Sequence, residues 1–290
     1  MTAWRRKGQW LEWTASAEPS TLEEVKAFLP DAIDERTLKK LWNASGVEIQ
    51  GRRILLRLFP EESLQYMPEW TGIEVLFEDD FCLVADKPAG MKVHPTGESE
   101  GGTLLHAVGW HLESTGQSCR PRHIHRLDED TTGPVLMAKC PWAQVRLDEA
   151  MREKKVERTY VALVHGRLSP NRGRVDAPIG RDRHHATRRR VSPGGERAVT
   201  HYEVVESYRS ATLVRLRLET GRTHQIRVHL SYLGHPLIGD TLYGGRSEGM
   251  DRQALHGERL TFPHPWSGES IEVQSPWPPD FVALNERLKK

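Results

Sequence analysis

His125-Arg126-Leu127-Asp128-Glu129-Asp130-Thr131-Thr132-Gly133 decides how the rest of this chain is read. It sets one carboxylate, Asp128, behind an apolar side chain and two basic residues. A Thr-Thr-Gly turn follows, then the apolar run Pro134-Val135-Leu136-Met137-Ala138. The order suits a carboxylate held ionised at the lip of a buried strand. Glu129 and Asp130 crowd it with like charge, so a desolvated pocket needs a cation beside Asp128 to keep it anionic.

A second cluster, Gly221-Arg222-Thr223-His224-Gln225-Ile226-Arg227-Val228-His229-Leu230, supplies candidates. A period of two puts Ile226, Val228 and Leu230 on one face and Thr223, Gln225, Arg227 and His229 on the other, which reads as a strand. Arg227 is the expected partner, because a planar guanidinium can grip Asp128 with two hydrogen bonds that lysine cannot copy.

Outward from these clusters, strands outnumber helices. Ile73–Phe77 and Phe81–Ala85 flank the turn Glu78-Asp79-Asp80, Lys155–Val164 forms a long strand, and Val199–Val205 and Thr212–Thr220 alternate as antiparallel strands. Helices are expected over Thr103–His111 and Trp142–Arg152. Few helices lie between consecutive strands, so the class is α+β with a mostly antiparallel mixed sheet. Towards the start, Thr21 and Glu24 fit a capping box, Asp34–Trp42 a second helix, and Val47–Ile49 and Ile54–Leu56 a hairpin. Residues 1–20 read as irregular, with Trp4, Trp10 and Trp13 covering a neighbouring surface. Glu61–Thr71 reads as a linker. The expected division is 1–70, a small N-terminal domain with its linker, and 71–290, a catalytic domain.

Together the two clusters, with Gly234-His235-Pro236-Leu237-Ile238-Gly239-Asp240 and Tyr243-Gly244, resemble the signature of the RluA-type family of RNA pseudouridine synthases. Asp86-Lys87-Pro88-Ala89-Gly90 and the following Met91–Pro95 match the family's first motif, and the resemblance covers residues 72–285. It implies a bipartite catalytic domain with a cleft, and isomerisation of uridine to pseudouridine after the base is flipped out of folded RNA. Asp128 would be the catalytic carboxylate, acting at the anomeric carbon or removing a proton from the adjacent one. Arg227 would be its paired arginine. Tyr160, in Arg158-Thr159-Tyr160-Val161, would stack on the base or move a proton, and Leu255 would lie against it. His125, Arg126, Thr132, Arg222, His224 and Gln225 are the further expected substrate contacts. Thr132 stands where the family commonly has serine, and Glu129 where a basic residue is frequent. The helix–helix–hairpin near the start is similar to the alpha-L RNA-binding motif.

Net charge is only +1, from 41 Lys and Arg against 40 Asp and Glu, so composition alone announces no nucleic-acid binder. Distribution says more: Arg181–Arg190 holds five arginines, among them Arg188, Arg189 and Arg190, a candidate phosphate-contacting patch. Cys82, Cys119 and Cys140 are odd in number and far apart, which argues against a disulfide framework. The histidine pairs 123/125, 184/185 and 224/229 lack a completing ligand set, and no glycine-rich phosphate loop is present, so neither a metal nor another cofactor is expected. No stretch approaches the roughly 20 apolar residues of a membrane span, and no signal-peptide core follows Met1. The expectation is a cytoplasmic, monomeric enzyme acting on ribosomal RNA, ahead of transfer RNA. Two rivals are weighed beside it. A non-catalytic RNA-binding protein would have no use for Asp128, Tyr160 and Arg227 together. A glycosidase would need a second carboxylate about 5–10 Å from Asp128.

Overall fold

The computed structural model describes residues 4–64, 66–97 and 100–290. The N-terminal segment comprises β1 (Trp4–Lys7), β2 (Trp10–Thr14), α1 (Leu22–Phe28), α2 (Glu35–Asn43), β3 (Val47–Gln50) and β4 (Arg53–Leu56). Its strands form one antiparallel sheet in the order β1-β2-β4-β3. Both helices start where their caps require. The Thr21 hydroxyl accepts from the Glu24 N–H at 3.2 Å, and the Asp34 carboxylate accepts from the Thr37 N–H at 2.6 Å. The first residues are not irregular as expected. They form a hairpin, because β2 pairs with β4 on its other edge and buries Leu11 completely. A short hairpin gains stability only from such packing, which the local sequence does not display. The tryptophans do cover a neighbour: Trp4 and Trp13 lie 6.0 and 5.9 Å from Trp266, and Trp4 meets Phe81 at 5.1 Å.

The remainder comprises β5 (Glu74–Glu78), β6 (Cys82–Lys87), α3 (Leu104–Ser114), β7 (Arg122–His123), β8 (Gly133–Ala138), α4 (Pro141–Arg152), β9 (Glu157–His165), β10 (Arg172–Asp176), β11 (Ile179–Arg181), β12 (Arg189–Val191), β13 (Val199–Ser207), β14 (Ala211–Leu218), α5 (Gln225–Tyr232), a 3-10 turn (Thr241–Tyr243), β15 (Leu255–Pro263), β16 (Ser270–Gln274) and α6 (Pro279–Leu288). A four-stranded sheet runs β5-β6-β8-β7 and a six-stranded sheet β10-β13-β14-β9-β15-β16, while β11 and β12 make a separate hairpin. All the ladders are antiparallel, in an α+β chain of the expected class. Among the described residues no helix is long and apolar enough to cross a membrane.

The two larger sheets meet where Asp128 is held. Every residue of β8 is buried. At its start Gly133 has φ +127°, and a Cβ there would lie 2.5 Å from the carbonyl oxygen and 2.7 Å from the Cα of Gly257 in β15. Only glycine permits that approach. The Gly257 N–H closes the seam by donating to the Thr132 carbonyl at 2.8 Å. Beneath it, Val135, Tyr160, Leu216, Ile226 and Leu255 share one apolar core.

The segment expected as a strand over Thr223–Leu230 is the helix α5. Gln225 through Leu230 are all buried, so both of its sides face protein and a period of two cannot be told from a helical one. Ile226 and Leu230, four apart, enter the core under the site, while Val228 packs with Ile179 and Tyr243.

Candidate active site

A cavity of about 380 Å³ opens between the start of β9, the Asp128 turn and α5, within the range of small-molecule sites. His125, Arg126, Asp128, Tyr160, Arg222, His224, Gln225, Arg227 and Leu255 all line it. Thr132 does not; it is buried behind the wall, its hydroxyl 2.9 Å from His256 Nδ1. Arg188, Arg189 and Arg190 stand outside the cavity on and beside β12, with Arg188 and Arg190 exposed.

Asp128 lies in the turn before β8, its carbonyl accepting from the Thr131 N–H at 3.0 Å. From below, the buried Lys87 ammonium donates to the carbonyls of Glu129, Met91 and Pro88 at 2.6, 2.7 and 2.8 Å. Burial pushes Lys87 down to about 7, against the opposing pull of Asp130 and Asp128. Its three N–H groups meet three carbonyls, the geometry an ammonium requires.

Arg227 reaches Asp128, but not in the expected manner. A single hydrogen bond joins them, Nη1 to Oδ2 at 3.2 Å. The two-pronged grip goes to Asp240, with Nε to Oδ2 at 2.7 Å and Nη2 to Oδ1 at 2.9 Å. The correction follows from burial: the Asp240 side chain is 1% exposed and that of Asp128 25%, and a buried carboxylate has no water to turn to. Burial opposes the charge on Arg227, but Asp240 first and Asp128 second hold it well above the ordinary arginine value. The Tyr243 ring lies under the guanidinium, 5.0 Å from its carbon. The Tyr243 hydroxyl accepts from the backbone N–H of Arg189 at 2.9 Å and pairs with His224 Nδ1 at 2.8 Å, so the arginine hairpin is tied to the cavity wall.

Tyr160 is buried on β9 between Leu216 and Gly257, and burial raises its phenol above the usual range. His125 is buried behind the turn with Nε2 accepting from the Leu136 N–H at 3.2 Å, and burial pushes it down to about 3, so its ring is neutral. Gln225 is engaged internally: its oxygen accepts from Thr220 and Arg222, and its nitrogen donates to the Val199 carbonyl and Thr200. His229 likewise faces Thr200 and the Ala177 carbonyl, not the cavity. Asp240, Tyr243 and Lys87 are the residues that sequence reasoning assigned no role. Asp240 and Tyr243 sit among glycines, a context that reads as a turn.

A family model described as RNA pseudouridylate synthase matches residues 81–232. The uncharacterized RNA pseudouridine synthase YhcT of Bacillus subtilis (strain 168) is 42% identical over 286 residues, covering 97% of this chain and 93% of that protein. The ribosomal large subunit pseudouridine synthase D of Vibrio parahaemolyticus is 43% identical over 254 residues, covering 83% of this chain and 78% of its own. The solved structure of human RNA pseudouridylate synthase domain containing 1 aligns with a TM-score of 0.61 at 27% identity, over 71% of this chain and 84% of that one.

Proposed function

The chain belongs to the RluA-type family of RNA pseudouridine synthases, and on that premise we propose that it modifies ribosomal RNA, with Asp128 as the catalytic carboxylate acting on a flipped uridine. It is an isomerase acting on RNA. The observation that carries the finer reading is the Asp128–Arg227 hydrogen bond at the mouth of a cavity walled by Tyr160 and Leu255.

The reaction breaks the bond from uracil N1 to the anomeric carbon and forms one from C5 to that carbon. The C5 proton leaves and N1 gains one, so atoms balance with no oxidant or reductant. Asp128 would begin it either by attack at the anomeric carbon or by removing a proton from its neighbour. Arg227 would give the carboxylate a fixed cationic partner at a rim that RNA would cover and dehydrate. Tyr160 would stack on the base or move a proton late in the reaction, and Leu255 would close the apolar side. His125, Arg126, Arg222 and His224 are the proposed contacts around the nucleotide. Arg188, Arg189 and Arg190 would hold phosphates beyond it. Ribosomal RNA is favoured over transfer RNA by the similarity to the Vibrio protein, which is named a ribosomal large subunit pseudouridine synthase. We also propose the division at 1–70 and 71–290, the first part an accessory RNA-binding-like unit.

The test is incubation of purified enzyme with unmodified large-subunit ribosomal RNA and with transfer RNA, followed by pseudouridine mapping. Site-specific pseudouridine in the former and none with Asp128→Asn is expected. Turnover by folded Asp128→Asn above a few per cent of the parent would overturn the assignment, and modification of transfer RNA alone would overturn the substrate.

A further inference from the structure

We propose that Asp240 is a positioning residue for the isomerisation: it fixes the guanidinium of Arg227 so that Nη1 points at Asp128 whatever charge Asp128 carries. The inference rests on the reading of Asp128 as the catalytic carboxylate.

Arg227 offers its donors on two sides. The Nε–Nη2 side is closed by both oxygens of Asp240 at 2.7 and 2.9 Å, and Asp128 is met by Nη1 at 3.2 Å. The two carboxylates are not equivalent. Asp240 is buried and backbone-locked. Its own carbonyl accepts from Tyr243 and Gly245 N–H groups at 3.1 and 2.8 Å. The preceding Gly239 has φ +80°, and a Cβ there would run into the Arg252 carbonyl. The 3-10 turn that follows brings positions three apart to one side. Tyr243 therefore lies under the same guanidinium that Asp240 holds, 5.0 Å from its carbon. The Ser231 hydroxyl fastens α5 to this turn by donating to the Tyr243 carbonyl at 2.8 Å.

The consequence concerns charge. Either route at the sugar consumes the negative charge of Asp128, by protonation or by bond formation. A guanidinium held by Asp128 alone would lose its partner at that moment and swing away. With Asp240 as permanent counter-ion it stays, ready to receive the carboxylate when the step reverses on product formation. Asp240 touches no reacting atom in this account and works through Arg227.

The experiment measures kcat and KM on the same RNA for Asp240→Asn, Asp240→Glu, Asp128→Asn and Arg227→Ala, with the folded fraction determined by calorimetry. Asp240→Asn should lower kcat per folded enzyme by about 100-fold, as misplacement of a catalytic group by about 1 Å does, with KM within about threefold of the parent. In an Arg227→Ala background the same change should lower kcat no further, because the two act as one unit. Asp240→Glu keeps the charge but moves the fork by a methylene, and should not restore the rate. If Asp240→Asn fails to fold, Asp240→Glu decides: near-parental kcat in that variant overturns positioning. So does an Asn variant whose loss lies wholly in folded fraction or in KM. An active Asp128→Asn would instead sink the underlying reading, whereas a dead Asp128→Asn beside a fully active Asp240→Asn sinks this inference alone.

Discussion

At the scale of the residue, Tyr160 offers a clean separation of roles. Its ring is buried on β9 and its phenol is raised by burial, so at neutral pH it is a proton donor and not a phenolate. Tyr160→Phe keeps the face that would stack on a base and removes the proton. We expect it to bind RNA as the parent does and to lose most of its turnover. Tyr160→Ala should in addition lose about 1–3 kcal/mol of binding, the worth of one stacked base. Filter binding and single-turnover rates check this, and parental activity of the alanine variant would make Tyr160 a plain core residue. Asp128 and Arg227 are legible as candidates because each sets a charge beside apolar residues, and Tyr160 because its stretch resembles the family's. Asp240 is not, because an aspartate between turn glycines also has an ordinary local explanation. Its partner lies 13 positions back, on an element whose sequence pattern reads as a strand.

At the scale of the element, the β11–β12 hairpin that carries the arginines is attached through the Arg189 backbone N–H and the packing of Ile179 against Val228 and Tyr243. The Arg189 N–H holds the Tyr243 hydroxyl, and truncating the side chains leaves that bond in place. Replacing Arg188, Arg189 and Arg190 with alanine should therefore leave kcat nearly unchanged. RNA affinity should fall, and its salt dependence should flatten by about one unit of log–log slope for each phosphate no longer neutralised. An unchanged slope would show that these arginines meet no phosphate. Elements with one wet face, such as β13 and β14, announce their alternation in the sequence. Those enclosed on every side do not, and α5 is the instance that matters. Hairpin β1–β2 escapes for the opposite reason: its strands are short, and their stability comes from β4 and from Trp266 far along the chain.

At the scale of the whole molecule, one hydrophobic cluster runs from Leu11, Ile54 and Phe59 through Phe81 and Trp142 to Trp266, so the N-terminal sheet and the rest share a core. Buried histidines make the folded state sensitive to acid. Burial pushes His125 down to about 3, and His123 and His256 to about 4. The unfolded chain takes up protons at these rings near 6.5, where the folded chain refuses them, so stability is complete above that pH and falls as pH drops towards 4. Each ring that stays neutral costs up to about 1.4 kcal/mol per pH unit in this window. Urea unfolding between pH 7 and 4.5 should show a falling midpoint, and a flat midpoint would mean that the rings protonate in place.

The seam of Gly133 against Gly257 has a mechanical meaning. With two backbones in contact and no side chain between them, the floor beneath Asp128 has no compressible layer and no room to hinge. Adaptation to a large, irregular RNA is thereby left to the rim, where the side chains of Arg126, Arg188 and Arg190 are exposed. The same cavity floor can then meet differently shaped surroundings of a uridine without being re-formed for each.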